Sequence, residues 1–239
     1  MAGIRLIERA EALGREPALV SAEASSSYAD LLRSSAAVAA ALLEGEEDLR
    51  EGRVASLAPA GLEYVAAQWG TWRAGGIAVP LSLAATEPEL EHVLTDADVG
   101  TALVSRHLEE RIEPLCRRLG IRIHRIEDAL GSEPALRLPA VADRRAMILY
   151  TSGTTSKPKG VVTTHANIEA QITALVEAWG WREDDRIPLF LPLHHVHGIV
   201  NVLGCALWSG AQVEGFPSFD LPRILERVGE RAYTCLLYT

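Results

Sequence analysis

Hydrophobic positions along the chain switch repeatedly between a helical period and a strand period, and turn residues mark most of the changes. Residues 28–43 are rich in alanine and leucine, relieved by Asp30, Arg33, Ser34 and Ser35 and closed by Gly45, which predicts a helix. Residues 53–58 predict a strand, 62–73 a helix offering Tyr64, Trp69 and Trp72 for packing, and 76–81 the next strand. A helix over 88–97, a strand over 101–105, an arginine-rich helix over 107–119 and a short strand over 121–126 follow. The stretch 131–142 carries Pro134 and Pro139 and has no helical period, so it predicts a linker. Beyond it the order is strand (146–151), loop, helix (165–179), strand (186–192), helix (199–208), strand (211–216) and helix (221–228). Such alternation predicts an α/β fold of layered, mainly parallel sheets with helices on both faces. The linker divides it into a first α/β subdomain, residues 1–142, and the start of a second, residues 143–239.

Ligands of such sheets bind at the carboxyl ends of the strands, and two motifs fall there. The first, Tyr150-Thr-Ser-Gly-Thr-Thr-Ser-Lys-Pro-Lys-Gly160, follows the apolar run 146–150. The backbone N–H groups freed by Gly153, the hydroxyls of Thr151, Ser152, Thr154 and Thr155, and the ammonium groups of Lys157 and Lys159 can all donate to phosphate oxygens. Nothing in the loop offers a negative charge. Pro158-Lys159-Gly160 stands where a Walker A loop needs Gly-Lys-Ser/Thr, so a P-loop kinase or GTPase is excluded. The plain alternative is a Ser/Thr/Gly surface loop.

The second motif, Leu191-Pro-Leu-His-His-Val-His-Gly198, follows the apolar run 187–191. Its imidazoles can hydrogen-bond or charge-pair with a carboxylate. A continued strand period points His195 and His197 to one side and His194 to the other. One satisfied core histidine with two surface ones is the alternative, and a zinc site is another, although no fourth ligand lies at a suitable spacing.

The first motif resembles the phosphate loop of the adenylate-forming superfamily, which comprises acyl-CoA synthetases, luciferases and peptide-synthetase adenylation domains. It departs from their Ser/Thr-Ser-Gly-Ser/Thr-Thr-Gly-x-Pro-Lys-Gly pattern only at Ser156, where the family has glycine. The second motif resembles the superfamily's acyl-pocket segment. Its wording, together with residues 65–81, looks like the malonyl-CoA and methylmalonyl-CoA synthetase branch. A dicarboxylate keeps its distal charge after the proximal carboxylate is activated, and a buried charge needs a partner, which favours His197 over an aromatic wall.

The resemblance implies the N-terminal part of the adenylate-forming fold and an ATP-dependent acid–CoA ligase of fatty acid metabolism. In it, Thr151, Ser152, Gly153, Thr154, Thr155, Lys159 and Gly160 hold the nucleotide phosphates, Lys159 stabilises the leaving pyrophosphate, His195 gates the acyl pocket, and His197 lines it. ATP, Mg²⁺ and coenzyme A are the implied cofactor and co-substrates, and a small carboxylic acid the partner. Ligases for aryl, short-chain fatty or amino acids are the neighbouring possibilities. The family's later motifs for adenine, ribose, the hinge and a mobile C-terminal domain do not occur here, and residues 233–239 read as an uncapped strand. The expectation is a fragment that needs a C-terminal portion for full catalysis, or a non-catalytic nucleotide-binding one.

Composition narrows the setting. The chain has 239 residues, 48% of them hydrophobic, enough for a substantial core. A formal charge of −9 argues against nucleic acid as a partner. No apolar run has transmembrane length and the start lacks a signal-peptide core, so no membrane partner and a cytoplasmic location are expected. Cys116, Cys205 and Cys235 are widely spaced and read as isolated thiols. Glu46–Asp48 reads as a solvated acidic turn.

Overall fold

The computed structural model describes residues 3–21, 24–134, 143–151 and 157–235. Ten strands and nine α-helices are formed among the described residues. The chain opens with α1 (Arg5–Leu13), β1 (Pro17–Val20), β2 (Ser25–Ser27) and α2 (Tyr28–Leu43), and continues with β3 (Arg53–Leu57), α3 (Leu62–Arg73) and β4 (Ile77–Pro80). Then come α4 (Glu87–Asp96), β5 (Thr101–Val104), α5 (Glu109–Leu119), β6 (Arg122–Arg125) and α6 (Ile126–Leu130). A hairpin of β7 (Arg145–Thr151) and β8 (Lys159–Thr164) leads into α7 (His165–Trp179) and β9 (Arg186–Leu189). A π-helical segment, His197–Gly204, runs into α8 (Cys205–Ser209), followed by β10 (Gln212–Gly215) and α9 (Leu221–Gly229).

The strands build two mixed sheets. One has the order β6-β5-β3-β4-β7-β8 and the other β2-β1-β10-β9. Every neighbouring pair is parallel except the edge pairs β7–β8 and β1–β2. The expected α/β class, mainly parallel with helices on both faces, is therefore what the chain forms. Both sheets draw strands from either side of residue 142: β7 joins β4 at Met147 opposite Ala78, and β10 joins β1 at Val213 opposite Leu19. Of the predicted linker, Ile126–Leu130 just before it is a helix and 135–142 lie outside the described residues.

The two faces of the larger sheet feed two cores with the strand period of two. Ala55, Leu57, Ile77, Val79, Ala102 and Val104 pack under α4 and α5 with Leu90, Leu94, Ile112 and Leu115. Val54, Ala78, Leu103 and Met147 point the other way, into a core shared with α2, α3, α7, α8 and the smaller sheet. Trp72 Nε1 donates to Ala146 O at 2.7 Å, fastening α3 to β7.

Local chemistry explains where the helices start. Ser27 Oγ accepts from Asp30 N at 3.2 Å while Asp30 Oδ2 accepts from Ser27 N at 2.9 Å, a reciprocal cap that begins α2. Thr164 and Asn167 repeat the arrangement at α7. The stretch Glu46–Asp48 is not merely a solvated turn, because Asp48 takes both Arg144 nitrogens at 2.7 and 2.6 Å and Arg50 N at 2.7 Å. Arg145 binds Glu51 beside it, so the turn before β3 is clamped to the start of β7.

Three expectations are corrected. Residues 159–164 form a strand and not part of a loop running into a helix, because Val161, Val162, Thr163 and Thr164 pair antiparallel with β7. The strand after α7 ends at Leu189, and the stretch to His195 is bends and turns, so the period-two alternation does not reach the histidines. Residues 233–235 form no strand, although Thr234 N donates to Arg186 O at 3.0 Å beside β9. Residues 236–239 lie outside the described residues.

Candidate active site

The β7–β8 hairpin carries the first motif. Thr151 closes β7 opposite Lys159, and Gly160 lies opposite Tyr150. Ser152, Gly153, Thr154, Thr155 and the substituted Ser156 lie outside the described residues. Lys157 and Lys159 are exposed, and among the described residues neither has an acidic or hydrogen-bonding partner. Two positive charges left uncompensated at a strand end fit a phosphate ligand.

Two contacts from α4 hold the base of this hairpin. His92 Nε2 donates to Pro158 O at 2.8 Å, and Tyr150 Oη donates to Asp96 Oδ2 at 2.7 Å. The His92 and Tyr150 rings meet edge to face at 5.9 Å. Neither His92 nor Asp96 stands near the loop in sequence, and only the packing of α4 against the sheet brings them there.

The second motif turns sharply after β9. Gly198 is required at that turn, because a Cβ there would stand 2.7 Å from Pro192 O and 3.3 Å from Leu191 O. His194 and His195 do not diverge as a strand would make them; their ring centroids are 4.0 Å apart. Burial, and secondly the neighbouring His195, pull His194 down to about 4, so at neutral pH it cannot supply a positive charge to an acid. His195 is exposed.

His194 lines a cavity of about 220 Å³ with Ala58, Leu81, Phe190, Phe216 and Phe219. These residues follow β3, β4, β9 and β10, so the carboxyl ends of both sheets converge on one crevice. β4 is also the neighbour of β7, whose end carries the first motif.

His197 is half-buried at the start of the π-helical segment, a kind of irregularity common at functional sites. Asn201 Nδ2 lies 3.1 Å from its Nδ1, and Gln171 Nε2 of α7 donates to Asn201 Oδ1 at 2.6 Å. Its other nitrogen, Nε2, is buried with no hydrogen-bond partner among the described residues. Sequence reading missed Asn201 and Gln171. The His-x-x-x-Asn spacing on one helical face is a signal for the first, and nothing in the sequence marks the second.

Among the described residues no group of three or more His, Cys, Asp or Glu side chains could hold a metal ion. A zinc site at the histidines is thus not available from them. None of the helices among the described residues is long and apolar enough to cross a membrane. Cys116 and Cys205 are buried free thiols whose pKa burial pushes up to about 11 and about 12, and Cys235 is a half-buried one.

The fold is a mainly parallel α/β one, with exposed lysines at the end of the β7–β8 hairpin and an unpaired imidazole nitrogen on the π-helical segment. The chain belongs to the family of AMP-binding enzymes, whose family model matches residues 6–239. It is 43% identical over 187 residues to the mitochondrial malonate–CoA ligase ACSF3 of Homo sapiens, an alignment covering 75% of this chain and 32% of that protein. The Mus musculus counterpart is 38% identical over 230 residues, covering 92% of this chain and 40% of that protein. The solved structure of ATP-bound MatB from Rhodopseudomonas palustris matches with a TM-score of 0.86 at 28% identity, over 98% of this chain and 49% of that one. The chain spans about a third to two fifths of the length of these curated relatives.

Proposed function

We propose that this chain is the nucleotide- and acid-binding part of an ATP-dependent acid–CoA ligase for a short dicarboxylic acid such as malonate or methylmalonate. The observation that carries the acid class is the buried, unpartnered Nε2 of His197. A buried polar atom is normally satisfied, and an acid oxygen is a partner of the right chemistry. The malonate–CoA ligase relatives support the same reading.

In the reaction a carboxylate oxygen of the acid attacks the α-phosphorus of ATP. The new O–P bond forms as the bond to the β-phosphate oxygen breaks, releasing pyrophosphate. Coenzyme A sulfur then attacks the acyl carbon, and the C–O bond to AMP breaks. In-line transfer gains mainly from positioning and from neutralising charge on the leaving group. Lys159 faces no competing carboxylate among the described residues, and its role is to meet that charge. Thr151 and the hydroxyl and glycine positions 152–155 hold the β- and γ-phosphates, His195 gates the crevice and His197 receives the acid.

The test is acid-dependent ATP–pyrophosphate exchange with malonate, methylmalonate, acetate and benzoate, on the wild-type chain and on His197→Phe. Exchange with the dicarboxylates that His197→Phe abolishes is expected. Exchange driven equally by acetate or benzoate would replace the dicarboxylate reading with a short-chain or aryl one. No exchange from folded protein would mean that the chain on its own does not carry out adenylation.

A further inference from the structure

The contacts behind His197 form a directed chain. Gln171 Nε2 donates to Asn201 Oδ1, and an amide accepts only through its oxygen, so this bond fixes which way the Asn201 amide faces. Asn201 Nδ2 is thereby presented to His197 Nδ1. An amide nitrogen only donates, so Nδ1 must be the accepting, unprotonated nitrogen. The proton of the neutral ring then sits on Nε2, the atom buried without a partner among the described residues. What is missing at Nε2 is therefore an acceptor and not a donor.

Building on the acid-ligase reading above, we propose that Asn201 and Gln171 are positioning residues that lock His197 as an Nε2–H donor. The lock makes this site select a ligand that presents an oxygen acceptor to Nε2. A carboxylate satisfies the N–H, a hydrocarbon leaves it unpaired, and an ammonium group opposes it with a second donor. The selectivity lies in the tautomer, and the tautomer is set two residues away from the ligand. His197 and Asn201 share the π-helical segment while Gln171 comes from α7, so the packing of these helices holds the relay together. The reversed arrangement, with Gln171 accepting and Asn201 Oδ1 facing the ring, would put the proton on Nδ1 and make Nε2 an acceptor.

Nitrogen-15 NMR of histidine-labelled chain distinguishes the two directly, read at a pH well above the imidazole range and assigned by the signals lost in His197→Gln. Wild type is expected to show a protonated Nε2 and an unprotonated Nδ1. Asn201→Asp keeps the size but replaces the donor with an acceptor, and it should move the proton to Nδ1. Gln171→Glu should do the same one step back, by turning the Asn201 amide over, and it provides the reading if Asn201→Asp fails to fold. Both variants should weaken malonate binding about tenfold or more, the loss expected for one hydrogen bond to a charged group. A wild-type proton on Nδ1, or variants that leave the tautomer unchanged, would overturn the relay. A swapped tautomer with unchanged malonate affinity would overturn its role in selectivity. Absence of malonate binding from wild type with the Nε2–H in place would sink the acid reading and leave the lock standing.

Discussion

A lysine ammonium with no counter-charge at the mouth of a hairpin is free to pair with an arriving anion. Lys159 is in that position, exposed and opposite Thr151 in the β7–β8 register. Under the proposed ligase function its contribution would belong to the transition state, where pyrophosphate charge develops, more than to acid recognition. Lys159→Ala is expected to slow malonate-dependent exchange by about 10²-fold, the scale of removing one preorganised charge-stabilising donor. Malonate affinity measured by calorimetry should stay unchanged; a matching loss of affinity would move Lys159 from the phosphate to the acid. At this scale the sequence named Lys159, His195 and His197 because their motifs are local. It could not assign the histidines their environments, since burial of His194 and the reach of Gln171 to Asn201 depend on elements that meet only in the fold. The positions 152–155 proposed to hold phosphate lie outside the described residues.

Elements with a strong periodic signal and local caps were readable from sequence, and weakly patterned ones were not. The helices over 28–43 and 62–73 fall where alanine-rich periodicity and turn residues put them. β2 is Ser25–Ser27, which has no hydrophobic pattern at all, and it is a strand because β1 beside it pairs with β10 from the far end of the chain. β8 escaped for another reason: it is an edge strand without a buried face, its Val161 and Val162 being 48% and 50% exposed. The close approach of α2 and α3 depends on one residue. A Cβ on Gly70 would stand 2.6 Å from Val38 Cγ1 and 3.1 Å from Ser35 O, and the latter is backbone that cannot swing aside. Alanine in a helix gains about 1 kcal/mol over glycine, whereas overpacking of this kind costs about 1–3 kcal/mol. Gly70→Ala is therefore expected to lower stability by about 1 kcal/mol net in urea denaturation. A midpoint that rises would mean the helices separate without cost.

The whole molecule should lose stability on acidification in two stages, because two classes of group are buried or paired in opposite charge states. His165 is 7% exposed, packed edge to face on Trp72 at 5.4 Å, and burial lowers its pKa to about 4. An unfolded histidine titrates near 6.5, so between about 6.5 and about 4 the unfolded chain binds the proton and the folded one does not. Stability must then fall with pH across that window and level off below it, with His165 contributing on the order of 3 kcal/mol. His194 is lowered to a similar value and adds to the same stage. The carboxylates act at lower pH. Glu51 is held at about 2 by its side-chain and backbone bonds to Arg145, and Asp48 is lowered chiefly by Arg144. Their stabilisation is complete above the ordinary carboxylate range and is lost as pH falls through their depressed values, releasing the clamp between the β3 turn and β7. His165→Phe retains the ring volume and removes only the titration. Denaturation midpoints of the variant should match wild type below about 4 in their dependence on pH, and should decline less steeply than wild type between about 6.5 and about 4. Equal slopes in that upper window would show that His165 is protonated in the folded chain, and the buried N-terminus of α7 would then have to accommodate a charge.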